Sequence, residues 1–414
     1  MIGLSAAYHI KEANPGLSVL VIDRKGTTAQ GDTAKSMAAV RDTFTSEVNR
    51  LLASSSIAFY KHVQSELGFQ LNLELVGYLW LLTESEFRKF ESIEPMMREE
   101  RVRLRVLERD DIARMIPDLV LDPSSQQSRL IGLERIHKAV QGLDCGIVAP
   151  ELVAKFFENE FLKLGGEFQF DVEAKSLRLM AEKSLGLPGE PLVWQDKLIA
   201  GVETGQGQIL ADTTVVAAGA RTSMLFDPIG VECHVKPKKR QVFQLRGDPV
   251  NRVLNSEGFN EQHTIPFTIL PKGGVCVKPV RAEKGFWITA SDDVGRAFMF
   301  EEEPAAEESY FTMNIYPILS EYFPCFANLR PANSWAGLYD VNSLDATPII
   351  DKVKNCILIT GMSGSGIMKA DAVGRIAAAH LKNAEEATLY GGVSISTSRL
   401  GLSNRNIGKE QFVL

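Results

Sequence analysis

Residues 3–23 constrain the fold more tightly than any other stretch. Ser5 to Glu12 reads as a helix, Ser18 to Ile22 as an apolar strand, and Asp23 closes that strand 20 residues after Gly3. This is the second half of a dinucleotide-binding βαβ unit, with Gly3 as the last glycine of a G-x-G-x-x-G turn. The demand is physical. A helix amino terminus holds a pyrophosphate, a small residue lets helix and strand approach, and the acid accepts hydrogen bonds from a ribose hydroxyl. The unit lacks its first strand and first two glycines. The expectation is that Met1 is not the true start, and that an apolar run of about five to six residues ending in G-x-G precedes it.

A chain of 414 residues buries a large core and is expected to form two domains. The net charge of −7 gives no support to nucleic-acid binding. No apolar run reaches the length of a membrane span. Cys145, Cys233, Cys276, Cys325 and Cys356 are odd in number and scattered. They read as reduced structural thiols in a cytoplasmic protein. His234 and His263 stand alone, so no metal site is expected.

Along the chain, Lys25 to Ser36 is rich in small and hydroxylated residues, which suits either a solvated loop or one wrapping a phosphate or ribose. Glu47 to Leu67 and Glu84 to Arg98 have helical periodicity, and Leu75 to Thr83 reads as a buried strand. A short helix from Arg109 should stop at Pro117, and a longer one, Glu151 to Leu164, ends at Gly165-Gly166. Strands are expected at Glu167 to Ala174, Leu192 to Val202 and Thr213 to Gly219. Residues 236–293 are β-rich, Glu301 to Glu308 is an acidic surface run, and Phe311 to Phe323 is helical. Cys356 to Thr360 is the last core strand and enters Gly361-Met362-Ser363-Gly364-Ser365-Gly366 before a helix from Met368 to Leu381.

Gly3, Gly219 and Gly361 to Gly366 thus lie at strand ends that a doubly wound sheet would gather on one edge, where ligands bind. The last of them aims a second helix amino terminus at a ligand. A flavin pyrimidine ring, which gains negative charge on reduction, is the kind of group such a dipole stabilises.

These blocks resemble the FAD-dependent oxidoreductases of the D-amino-acid oxidase, glycine oxidase and sarcosine oxidase (DAO) family. The resemblance is carried by IGLSAAYHI, VLVIDR, GDTAKSMAAVR, TTVVAAGA, GLYDVNSLDATPIID and GMSGSGIMKADAVGRIAAAHL. It implies an α/β fold, with a Rossmann-like FAD-binding domain interleaved with an antiparallel-sheet-plus-helices substrate domain. The division expected is 1–80, 146–230 and 340–390 for FAD, 81–145 and 231–339 for substrate, and a tail from 391. It also implies hydride transfer from a C–H beside an amine to non-covalent FAD. Residue by residue, Asp23 and Arg24 would meet the adenosine ribose. Asp32, Thr33 and Ser36 would touch phosphates or ribityl chain, and Val172 the adenine end. Ala218 and Gly219 would line the cofactor, with Gly361, Gly364, Gly366, Ile367 and Met368 at the flavin's polar edge.

The departures matter equally. Gly337 stands where monomeric sarcosine oxidases have the cysteine that bonds flavin. Tyr339 stands where glycine oxidase and D-amino-acid oxidase carry a carboxylate-binding arginine. The sarcosine-oxidase lysine falls on Met368, with Lys369 one place later and expected on another side of the helix. Gly285 to Thr289 shows no equivalent of the lysine that promotes oxygen reactivity, which favours a dehydrogenase. Tyr339 is the expected catalytic-site side chain, and Arg41, Lys278 and Arg330 are the candidate carboxylate holders. The expected substrate is a small or N-methyl amino acid, with an unidentified electron acceptor and a homo- or hetero-oligomer left open. A 2-hydroxy-acid dehydrogenase and a non-catalytic flavoprotein-like subunit are the alternatives.

Overall fold

The structure is a computed structural model describing residues 1–412 except 117, 292, 293, 404 and 409. Pro117, the expected helix stop, and the far end of the β-rich region lie outside the described residues. The largest element is an eight-stranded sheet. Its order is Asn333–Asn342, Val235–Arg246, Gly285–Ala290, Val275–Val280, Phe267–Ile269, Tyr78–Leu82, Lys138–Gly142, Leu104–Leu107. All neighbours are antiparallel except Phe267–Ile269 with Tyr78–Leu82. Both faces of Tyr78–Leu82 are covered, so its YLWLL sequence is buried throughout, as an apolar run without alternation requires. One face packs on the segment 308–326 through Phe243, Phe286, Phe311, Tyr322, Phe323 and Phe326.

The remaining strands form smaller groups. Leu20–Ile22 runs parallel to Glu167–Gln169. Thr214–Val216 runs parallel to Cys356–Thr360, which also pairs antiparallel with Ile349–Val353. Among the described residues no hydrogen-bonded strand joins these two groups. A meander of Ala174–Ala181, Lys197–Thr204 and Gly207–Leu210 follows the first. The fold is thus the mixed α/β arrangement expected from the sequence. The strands Tyr78–Leu82 and Asn333–Asn342 straddle the expected domain boundaries and belong wholly to the large sheet. The expected strand at Leu192 begins instead at Lys197. Glu190 in the preceding loop accepts from the Leu185 N–H at 2.7 Å and from Gln195 at 3.0 Å, holding the loop out of the ladder. Beyond Gly391 the chain docks on the body rather than trailing as polar linker. Arg405 bonds Asp345 at 2.9 Å and the Thr347 carbonyl at 2.8 Å, and Phe412 packs 4.8 Å from Trp80.

Three helices, Ile2–Ala13, Pro150–Lys163 and Ala370–Leu381, hold the nucleotide-binding part together. The first and last cross closely at Gly374, where a side chain would collide with Ser5 and His9. Ser5 Oγ donates to the Ala370 carbonyl at 2.7 Å. The fully buried Asp371 bonds His9 Nε2 at 2.8 Å and Arg375 Nε at 2.9 Å. A buried carboxylate needs such partners. Gly374→Val should therefore force the helices apart and cost about 2 kcal/mol of stability by overpacking. Denaturant unfolding measures this, and an unchanged midpoint would show that the crossing is not a tight one.

Candidate functional site

The glycine-bearing strand ends do converge. A side chain at Gly3 would stand 3.6 Å from Ala217 Cβ, and one at Gly366 would stand 3.8 Å from Ile2 Cδ1. Val216 is in register with Leu358, so Ala217 to Gly219 emerge beside Thr360 and Gly361. Gly219 has a φ of 56°, in the left-handed region, and starts a turn that Thr222 closes by donating to its carbonyl at 2.8 Å. Asp23 and Val172 are brought together, with the Val172 N–H donating to the Asp23 carbonyl at 3.0 Å. Among the described residues no side chain caps the amino end of Ile2–Ala13, which leaves its first-turn N–H groups free at this edge, whereas in Ala370–Leu381 the Ala372 N–H donates to Ser56 Oγ at 3.1 Å. That donor set fits a pyrophosphate and an electron-rich ring.

Gly31 to Ser36 fold back as consecutive tight turns against the strand Asn333–Asn342. The Leu338 N–H donates to Asp32 Oδ1 at 2.8 Å, and Trp335 Nε1 to the Lys35 carbonyl at 2.9 Å. The Ser36 hydroxyl is spent locally on the Thr33 carbonyl at 2.7 Å, and no side-chain hydrogen bond engages Thr33 among the described residues. Gly337 lies under this loop, and a side chain there would stand 3.2 Å from Lys35 Cβ and 3.3 Å from Asp32. Gly337 thus lets the loop lie close to the strand.

The Gly361–Gly366 turn is tied to the same strand. Asp340 accepts from the Met362 N–H at 3.1 Å, and its carbonyl accepts from the Ser363 N–H at 3.2 Å. Gly364, with φ 81°, faces the Tyr339 ring so closely that a side chain would overlap it. That glycine is required by Tyr339 itself. Met368 and Ile367 are buried in an apolar cluster with Leu4, Val40 and Phe44.

Several cations are buried in the molecule. Arg41 is buried, with its guanidinium 4.1 Å from the Phe44 ring centroid and hydrogen bonds to the Thr43 carbonyl at 2.6 Å and the Phe412 carbonyl at 3.5 Å. Lys278 is buried with Nζ 4.3 Å from the ring centroid of Trp287, its cross-strand neighbour. Lys369 is buried as well, and donates to Asn49 Oδ1 at 2.7 Å and Ser365 Oγ at 2.6 Å. Burial, and then the Arg41 charge, pull the Lys369 ammonium down to about 7. Burial pulls Lys278 down to about 8. None of the three makes an ion pair among the described residues. Arg240 stacks 5.3 Å from the Tyr339 ring centroid. Burial pushes the Tyr339 and Tyr78 hydroxyls up, and the Cys276 thiol up to about 12.

Arg330, the third candidate carboxylate holder, is exposed after the turn Pro324–Phe326. Arg24 turns away to ion pairs with Glu302 and, at 3.7 Å, Glu173. Two readings need correction. Lys369 points into the cluster, because Ile367–Lys369 is a tighter turn than an α-helix and rotates its side chain inward. A lysine also stands beside the strand Gly285–Ala290, namely Lys278 on the neighbouring strand, so the sequence argument for a dehydrogenase loses its support. Tyr78 and Trp287 were not singled out. Each shares its strand with a second aromatic residue, Trp80 or Phe286, so neither stood out.

Asp340 provides a pH test. Burial raises its carboxyl from 3.8 to about 6, outweighing the backbone N–H groups of Met362 and Gly361. The native state therefore holds this proton more tightly than the unfolded chain. The resulting stabilisation is complete below about pH 4 and lost as pH rises through about 6. Asp340→Asn should flatten that part of the stability profile. Thermal unfolding across the window checks this, and parallel profiles for the two proteins would contradict it.

Comparison with known proteins agrees with this geometry. The family model for DAO, FAD dependent oxidoreductase, matches residues 1–380. FAD-dependent oxidoreductase domain-containing protein 1 of Xenopus laevis is 23% identical, over 91% of this chain and 76% of its own. The Bos taurus protein of that name is 24% identical, over 91% and 78%. Among solved structures, L-proline dehydrogenase from P. horikoshii superposes with a TM-score of 0.74 at 19% identity, covering 97% of this chain and 94% of its own. Glycine oxidase from Geobacillus kaustophilus gives 0.73 at 17% identity, covering 98% and 96%. With a helix end, an acid-ended strand and a glycine turn on one sheet edge, and the family model matched over residues 1–380, the chain belongs to the DAO family of FAD-dependent oxidoreductases.

Proposed function

We propose that this FAD-dependent oxidoreductase oxidises a small amino acid or N-methyl amino acid of the glycine or sarcosine type at the C–H beside its amine. The observation that carries the reading is the burial of Arg41 and Lys369 against the same Phe44 ring, and of Lys278 in the large sheet, none with an ion-pair partner among the described residues. Buried cations are costly unless something anionic completes them. A substrate carboxylate is such a group. Bound FAD supplies the hydride acceptor.

Arg41 is the principal carboxylate holder, since its planar fork takes two oxygens at once and is charged at every working pH. Lys369, fixed by Asn49 and Ser365, adds a second positive charge from the opposite element. Lys278 and Trp287 wall the site from the large sheet. Tyr339, wedged on Gly364, adds an aromatic face and one hydroxyl. The cluster also bears on the amine. Nearby positive charge disfavours the ammonium form, and hydride leaves only from a carbon beside a neutral amine. The adenosine end is assigned to Asp23 and Val172, as the family resemblance implies.

Purified protein should carry a flavin spectrum that bleaches anaerobically with an N-methyl or small amino acid. A panel of amines and 2-hydroxy acids, read with oxygen and with an artificial acceptor, assigns substrate class and acceptor. Arg41→Met should raise the concentration for half-maximal bleaching by between about 10- and 100-fold, the worth of a hydrogen bond to a charged group. Bleaching by none of the panel, or an unaltered concentration dependence in Arg41→Met, would contradict the assignment.

A further inference from the structure

Between the strand Gly285–Ala290 and the helical segment from Glu308, residues 294–307 form neither helix nor strand. The segment leaves the large sheet and crosses to the nucleotide-binding part. There Glu302 lies between Arg24 and Arg221, pairing with the first and bonding the second at 3.0 Å. Arg24 follows Asp23 at the end of the first unit, and Arg221 follows Gly219. We propose that residues 294–307 are a latch over the adenosine end of the cofactor site, closed by Glu302 on Arg24 and Arg221, and that its opening governs FAD release.

The attachment is electrostatic along its length. Glu301 bonds Lys239 at 3.0 Å, Glu307 bonds Lys239 at 2.6 Å, and Arg296 bonds Glu307 at 3.2 Å. Its aromatic residues meet cations rather than the core. Phe300 lies 4.8 Å from the Arg221 guanidinium, and Phe298 lies 5.3 Å from Lys238 Nζ and 5.7 Å from Lys236 Nζ. Val294, Phe298 and Met299 are exposed, so little apolar burial holds the segment down. A segment fixed by charge and not by core packing opens at low cost and responds to salt. Within the segment, Glu302 and Phe300 are the residues that reach Arg24 and Arg221 among the described residues. The latch rests on placing the adenosine end at Asp23.

The test uses the full chain loaded with FAD and follows the return of free-flavin fluorescence after dilution. Glu302→Gln keeps the shape and removes the charge. At low salt it should release FAD about 3- to 5-fold faster than wild type, the worth of an exposed ion pair. In molar salt the two rates should meet, with the melting temperature of the FAD-free protein unchanged. Wild type alone should release FAD faster as salt rises, which keeps the test available should the variant fail to fold. Equal rates at low salt, or wild-type release that ignores salt, would overturn the latch and leave the proposed function standing. A protein that takes up no FAD would overturn both.

Discussion

Three buried cations without carboxylate partners among the described residues set the terms for this molecule. A protein of net charge −7 has ample carboxylates. Yet Arg41, Lys278 and Lys369 face carbonyls, an amide, a hydroxyl and aromatic rings. The fold tolerates this because Phe44, Trp80 and Trp287 offer ring faces to the charges, a weak substitute for an anion. The low positions of the Lys369 and Lys278 ammonium groups express the same incompleteness. An anionic ligand would relieve it, and a negatively charged reduced flavin would share in that relief.

Each cation arrives on a different element. Arg41 follows the short strand Ala39–Val40, Lys278 comes from the large sheet, and Lys369 from the turn entering Ala370–Leu381. Their meeting depends on the two halves of the molecule being locked together. The Asp340 carboxyl and the Tyr339–Gly364 contact join the glycine turn to the large sheet. Asp371, through His9 and Arg375, fixes the helix that follows the same turn. The glycine-rich stretch is therefore a structural joint.

Much of this was legible in the sequence. Short apolar strands ending in glycine or acid announced the nucleotide-binding edge, because parallel buried strands leave little freedom in composition. Val172 was named only through the family resemblance, and its hydrogen bond to the Asp23 carbonyl had no local signal. Arg41 and Lys278 were visible as cations within apolar surroundings. Lys369 was misplaced because a tight turn precedes the helix, and projecting helical geometry backwards rotated it outward. The partners of Arg24 and Arg221 were hidden, since Glu302 lies 278 residues beyond Arg24 and sits in a run that reads as solvated surface. The docking of Arg405 on Asp345 was hidden for the same reason: long-range ion pairs leave no local periodicity.

Proton uptake on ligand binding tests the central claim most directly. The holoprotein would be titrated calorimetrically at about pH 8.5 with a non-oxidisable carboxylate analogue, in buffers of differing ionisation enthalpy. If the carboxylate completes the cation cluster, it restores the charge on Lys369 and Lys278, and the heats should report uptake of between about one and two protons. Binding with no proton uptake, or no binding of carboxylates at all, would contradict the account.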